Sequence, residues 1–501
     1  MRATVTAHRD YTVAEIDPRL YGSFVEHLGR AVYTGIYEPD HPTADADGFR
    51  QDVIDLVKEI DVPITRYPGG NFVSAYNWED GIGPKEDRPV RLDLAWHTSE
   101  SNEVGIHEFA DWAEKAGTEM MLAVNLGSRG LDEARNFLEY VNHPGGSYWS
   151  DLRKANGRDA PWDVKLWCLG NEMDGPWQIG QKTAAEYGRI AFETAKAMRA
   201  SDKSIELVVC GSSSPKMATY PEWEATVLDY TYDAVDYVSL HMYFDDHDAN
   251  PQSFLGKSVL LDDYIDTIAA VIKQTKTKKR SSHDVYISFD EWNVWYHSAE
   301  QDKAILQGNE GWPFAPPLLE DTYDFADVLQ VGSIINSFIR RADVVKIGCL
   351  AQLVNVIAPI MTVKGGPAWR QTIFYPYLYG SQYGRGTSLD IRIDSPTFDT
   401  DFAKGIKYLD ASAVAADDGA LTFFFVNRNL SEPIELDVAL GGFDQSKIIM
   451  DKVIEGFDLK AVNGPDGEPV APTDGKNATV TNGRLSATLP PASYRMIRIG
   501  A

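Results

Sequence analysis

Eight short apolar runs recur along the first three-quarters of the chain, at 20–26, 63–67, 120–125, 164–169, 206–210, 237–242, 285–289 and 345–350. They are near-continuous, not alternating, which is the pattern of strands buried on both faces of a parallel sheet. The stretches between them carry helical periodicity. Residues 49–60 place Val53, Leu56, Val57 and Ile60 on one face, and 106–116, 131–141, 184–198, 222–232, 264–275 and 323–341 behave alike. Alternating strands and helices of this number predict a (β/α)8 barrel of the TIM type. An open doubly wound sheet is the alternative. Against it, most runs end in or near a polar residue: Glu26, Arg66, Asn125, Glu172, His241, Glu291, and Gln352 just past the eighth. A closed barrel gathers these at one mouth, whereas an open sheet spreads them along an edge.

Near residue 385 the helical period stops. Short alternating stretches follow at 388–393, 408–415, 421–427, 434–440, 447–453, 478–480 and 494–499, separated by turn signals such as Asn463-Gly464 and Asn482-Gly483. They predict a C-terminal all-β, jelly-roll-like sandwich. Residues 3–8 alternate as well and are expected to pair into it. The expected organisation is therefore an N-terminal strand segment over 1–17, a catalytic barrel over 18–384 and the sandwich over 385–501. Two long connections interrupt the barrel, 69–102 with Trp78 and Trp96, and 296–321 with Trp312. Long loops at a barrel mouth shape clefts, and aromatic faces stack on sugar C–H surfaces.

Two glutamates at strand ends carry the chemistry. Glu172 follows the fourth run in Leu-Gly-Asn-Glu-Met-Asp, and Glu291 follows the seventh in Ser-Phe-Asp-Glu-Trp-Asn. Strands four and seven lie on roughly opposite sides of a barrel mouth, so the two side chains can converge. Glycosidic cleavage needs one group to protonate the departing oxygen and another to meet positive charge at the anomeric carbon. The aromatic flanks Trp292, Trp295 and Tyr296 make a solvated loop acid a poor reading of Glu291.

Composition narrows the partners. The net charge of −27 repels nucleic acid and anionic membranes, and leaves a neutral sugar unaffected. The amino terminus shows no apolar signal region, so a cytoplasmic protein is expected. Cys168, Cys210 and Cys349 each sit in an apolar run and read as core residues in reducing surroundings. The absence of CxxC and HExxH leaves a metal site without sequence support, and the chemistry requires no cofactor.

These residues also carry a resemblance. Trp167-Cys-Leu-Gly-Asn-Glu-Met-Asp-Gly-Pro-Trp-Gln178 resembles the acid/base segment of the family 51 glycoside hydrolases, the α-L-arabinofuranosidases of intracellular type. Asp290-Glu-Trp-Asn-Val-Trp-Tyr296 resembles their nucleophile segment. Tyr21-Gly-Ser-Phe-Val-Glu-His-Leu-Gly-Arg30, Arg66-Tyr-Pro-Gly-Gly-Asn71 and Tyr375-Pro-Tyr377 fit the same family in the same order. The resemblance implies an exo-acting, retaining enzyme that releases terminal arabinofuranose from arabino- or arabinoxylo-oligosaccharides by double displacement. Glu291 would be the nucleophile and Glu172 the acid/base. Family position suggests that Glu26, Arg66, Asn71, Asn171, Tyr243 and Gln352 hold the sugar. Glu26 could instead be a structural salt bridge, plausibly with Arg66. His241 reads equally as a member of the catalytic shell or as a core histidine, and Trp177 and Trp295 as sugar-stacking or rim-packing. A homo-oligomer, often a hexamer, is implied by the family alone. Val104 stands where the family leads one to expect an aromatic residue. Two other readings stay open: a retaining β-glycosidase or endoglucanase on the same barrel, and a catalytically silent carbohydrate-binding protein.

Overall fold

The computed structural model describes residues 1–308, 311–443 and 447–500. Eight parallel strands close into a barrel in chain order: Gly22–Phe24, Ile64–Tyr67, Glu119–Val124, Leu166–Leu169, Glu206–Cys210, Tyr237–Phe244, Tyr286–Val294 and Val345–Leu350. Each coincides with one of the apolar runs. Inward and outward side chains are both covered, which is why the runs lack alternation. The helices form the outer layer, among them Gln51–Ile60, Ile106–Ala116, Leu131–Asn142, Ala184–Ser201, Glu222–Thr231, Ser258–Lys279 and Phe325–Arg340. Among the described residues no helix is long and apolar enough to cross a membrane.

Strand seven departs from its expected end. It continues through Glu291 to Val294, with a register shift between Phe289 and Trp292 on one side and opposite Ser239 and His241 on the other. This bulge inserts an extra residue, so Asp290 and Glu291, adjacent in sequence, both reach the barrel interior. In a regular strand they would point to opposite faces.

The second unit is a sandwich of a five-stranded and a seven-stranded sheet. The N-terminal strand Arg2–His8 lies in the smaller sheet, parallel to Ile434–Gly441 and antiparallel to Arg392–Asp394. The alternating stretch expected as one strand at 388–393 is divided. Thr387–Leu389 joins the larger sheet and Arg392–Asp394 the smaller. Strand Leu421–Asn427 has two buried faces. Phe423 and Phe425 point into the sandwich core, while Phe424 and Val426 pack with the barrel's core. The loops also carry more structure than expected. Residues 69–102 contain the hairpin Arg91–Asp93 with Thr98–Glu100, and the second loop contains helix Ala299–Gly308.

A polar joint fixes barrel to sandwich. Asp410 accepts from Arg340 at 2.9 Å and Asn336 at 2.9 Å, and lies 3.2 Å from Arg428. Burial alone would raise the Asp410 pKa, but the two arginines and Asn336 hold it below the ordinary carboxylate range. Replacing Asp410 with Ala strands these cations against an apolar interface. A loss of about 3–5 kcal/mol in stability is expected, read as a lower urea midpoint, and an unchanged midpoint would show that the joint contributes nothing.

Candidate active site

The polar strand ends meet at one mouth, as a closed barrel requires. Arg66, on strand two, is fully buried beneath the site, with its guanidinium 4.9 Å from the Phe24 ring. One nitrogen donates to Glu291 Oε1 at 2.7 Å and another to Asn171 Oδ1 at 2.7 Å. Arg66 therefore pairs with Glu291, not with Glu26, and the salt bridge considered for Glu26 does not form. Tyr243 donates its hydroxyl to Glu291 Oε2 at 2.9 Å. With Arg66 already bonded to its oxygen, the Asn171 amide nitrogen faces Asn71 Oδ1 at 3.3 Å.

Glu172 sits three residues past strand four. Gly170 at φ +90° turns the chain, and Glu172 itself takes φ +44°, a left-handed conformation that a non-glycine residue adopts at a cost of about 1–3 kcal/mol. The turn is held from below by Asp174, which accepts from the Ser213 backbone N–H at 3.0 Å. Both oxygens of Glu172 are engaged. His241 Nδ1 lies 2.8 Å from Oε1, and Trp177 Nε1 donates to Oε2 at 2.6 Å.

His241 joins the bonded network of the two glutamates and is not an isolated core histidine. Its Nε2 lies 3.0 Å from Asp290 Oδ1, and its Nδ1 lies 3.6 Å from Glu291 as well as bonding Glu172. Burial would lower its pKa, but the Glu291 charge and the bonds to Asp290 and Glu172 outweigh burial and raise it to about 10. This shift favours the protonated ring, in which both nitrogens donate. Asp290 is opposed by burial, and Arg66 and His241 hold it in the charged form below the ordinary range. One oxygen of Glu172, one of Glu291 and a ring nitrogen of His241 all lie within 4.8 Å of one another. Such a trio resembles a metal site in composition only. Its members are already bonded to protein groups, Glu291 to Arg66 and Tyr243, Glu172 to Trp177, and His241 to Asp290.

Glu26 lies apart from the pair, facing a different set of donors. Phe72 N–H and Trp96 Nε1–H reach its Oε1 at 2.8 Å and 3.0 Å, and Gln352 Nε2 lies 3.3 Å from Oε2. Gly70 is needed for this approach, because a Cβ there would lie within 2.4 Å of Glu26 Oε2. Burial raises the Glu26 pKa, the Phe72 and Trp96 bonds oppose it, and the balance is about 8.

Of the residues expected at the site, Glu172, Glu291, Arg66, Asn171, Asn71, Tyr243 and His241 form one bonded network, and Glu26 with Gln352 a second. Trp177 and Trp295 are 50% and 37% exposed at the rim, Trp177 bonded to Glu172 and Trp295 edge-on to Tyr243 at 5.4 Å. Trp78 does not face the cleft as expected. It is buried against Phe137, Tyr140 and Trp149. Nothing in the sequence pattern marks Asp290, because only the bulge turns it inward.

The comparisons with known proteins agree along the whole chain. Residues 56–264 match a family model described as "Alpha-L-arabinofuranosidase 1 domain", and 290–493 one described as "Alpha-L-arabinofuranosidase C-terminal domain". The chain is 54% identical to an intracellular exo-alpha-(1->5)-L-arabinofuranosidase of Halalkalibacterium halodurans, covering 100% of this chain and 99% of that one. It is also 54% identical to an enzyme of the same name, numbered 1, from Bacillus subtilis, over 99% of each. A solved family 51 alpha-L-arabinofuranosidase from Bifidobacterium longum superposes with a TM-score of 0.94 at 44% identity, over 99% of each chain.

The raised value of Glu26 has a measurable consequence. A carboxyl held above its ordinary value of 4.5 favours the folded state while protonated. That contribution is complete below pH 4.5 and is lost as pH rises to about 8. Glu26→Gln removes it. The melting-temperature difference, wild type minus Glu26→Gln, should therefore decline across this window; a difference independent of pH would contradict the burial argument.

Proposed function

The chain belongs to the family 51 α-L-arabinofuranosidases, and on that premise we propose an exo-acting, retaining glycosidase that removes terminal non-reducing arabinofuranose from arabino- or arabinoxylo-oligosaccharides. The observation that carries the retaining assignment is the closeness of the two carboxylates, with oxygens within 4.8 Å. Retaining enzymes separate their carboxyl groups by about 5–5.5 Å, whereas inverting enzymes need about 6.5–9.5 Å for an intervening water. The exo mode rests on the names of the relatives.

In this reading Glu291 attacks the anomeric carbon and forms a glycosyl ester, while Glu172 protonates the departing oxygen. Glu172 then takes a proton from water, which attacks the same carbon and releases the sugar with Glu291 as leaving group. Arg66 and Tyr243 fix the attacking carboxylate from both oxygens. His241, between Glu172 and Glu291, places a positive charge between two groups that would otherwise repel. Asn171 and Asn71 are set to bond the ring hydroxyls near the anomeric centre. Glu26 and Gln352 serve the far hydroxyls, and Trp177 and Trp295 frame the leaving-group side.

Catalysis is assigned to residues 18–384, with 1–17 and 385–501 as the accessory sandwich. The relatives' names include the word intracellular, which supports action in the cytoplasm on imported oligosaccharides. A homo-oligomer, hexameric as the family resemblance implies, completes the proposal.

Glu291→Ala should lower hydrolysis of 4-nitrophenyl α-L-arabinofuranoside on the order of 10⁴-fold or more. Methanolysis followed by proton NMR should give the α-methyl glycoside first; a β product would overturn the retaining assignment. Glu172→Ala should lose about 10²–10⁴-fold on an oligosaccharide and far less on a dinitrophenyl glycoside, whose leaving group needs no proton. Equal losses on both would remove Glu172 from the acid role. Turnover of β-D-glucosides or β-D-xylosides in place of the arabinofuranoside would favour a β-glycosidase.

A further inference from the structure

The hairpin of the first mouth loop meets the segment that follows strand one through a buried polar contact that the proposed reaction does not use. The hairpin pairs Arg91 with Glu100 and Asp93 with Thr98, and Trp96 occupies its tip. Asp93 holds the tip by accepting from the Ala95 N–H at 2.9 Å. Val90, Leu92 and Leu94 are all more than half exposed on its outer side, so the hairpin is located by its inner contacts. At its base Glu100 is buried, only 6% exposed. Glu100 Oε2 lies 2.9 Å from His27 Nδ1. Glu100 Oε1 accepts from the Asn102 N–H at 2.7 Å and from the Tyr33 hydroxyl.

His27 follows Glu26 in sequence, and it too is fixed on every side. Its backbone N–H bonds Pro68 O at 3.1 Å, and its Nε2 lies 2.7 Å from the Tyr67 hydroxyl. Its ring stacks on Phe72 at 4.8 Å. Phe72 is the residue whose N–H donates to Glu26 Oε1, the same oxygen that Trp96 reaches. Glu100 also reaches the second mouth loop. Tyr33, bonded to Glu100, lies 4.7 Å from the Phe314 ring, and the Ser99 N–H bonds Pro313 O at 3.1 Å.

We infer that Glu100 and His27 form a latch between the mouth hairpin and the segment that follows strand one, a pair of positioning residues that sets the Trp96 indole N–H against Glu26. Neither touches the sugar in the proposed reading. The latch acts through Trp96 and Phe72 on the one oxygen of Glu26 that both occupy, leaving the other oxygen toward Gln352 and substrate. Its effect falls on sugar binding, because Glu172 and Glu291 belong to a separate bonded network. The inference rests on the reading of Glu26 as a sugar-holding carboxylate.

The test is a double-mutant cycle read in KM and kcat for 4-nitrophenyl α-L-arabinofuranoside. Trp96→Phe removes the indole donor and keeps an aromatic ring. Glu100→Gln cannot accept from His27, Tyr33 and Asn102 together. Each should raise KM roughly two- to tenfold, the scale of one lost hydrogen bond, with kcat changed far less. The double variant should be little worse than either single one, since both act through one contact. His27→Phe, which keeps the ring against Phe72, should reproduce Glu100→Gln and covers the case in which the latter fails to fold. Unchanged KM in Glu100→Gln or His27→Phe, or KM effects that multiply in the double variant, would overturn the latch. Glu26→Gln separates the two levels of the argument. If it raises KM while the latch variants do not, the latch alone fails; if it leaves KM unchanged, the reading of Glu26 falls and the latch with it.

Discussion

Everything at the mouth of the barrel depends on how five buried charges are balanced. Glu172, Asp290 and Glu291 bring three carboxylates into a largely buried space, and Arg66 and His241 bring two cations. Unpaired, each carboxylate would cost several kcal/mol to bury and would pick up a proton. Paired as they are, the cations interleave with the anions. Arg66 binds the outer oxygen of Glu291, and His241 bridges Asp290 to Glu172. The set stays one charge short of neutrality.

The backbone serves that balance. A bulge in strand seven turns Asp290 and Glu291 to the same side, and a left-handed Glu172 brings its carboxylate back over the barrel axis. Both are local departures from regular geometry, found where the charge network needs them.

The barrel was legible because strands buried on both faces write continuous apolar runs, and all eight were readable on that account. The sandwich was legible in kind, from its alternation, but its strand bounds were not. A stretch such as 388–393 alternates throughout and yet divides between two sheets, because the division depends on partners far away in the chain. At the site, Glu172, Glu291, Glu26 and Arg66 stood out as polar residues ending apolar runs. Asp290 could not, since a regular strand would turn it outward. Trp78 misled for the opposite reason: an indole in a mouth loop reads the same whether it meets sugar or, as here, Phe137 and Trp149. His241 was undecided until its two neighbours in space were known.

The pairing of Arg2–His8 with Ile434–Gly441 has a consequence in time. On a ribosome, the first strand emerges more than 430 residues before its parallel partner exists. At about 5–20 residues per second, that is a wait of roughly 20–90 s. The barrel can close during this interval, because all its strands lie between the two partners. The opening strand, with Ala3, Val5 and Ala7 destined for burial, has no sheet partner until Arg392–Asp394 has been made. Residues 2–8 are thus among the last of the sandwich to find their place, and their sheet is finished only when residues 434–441 have been made.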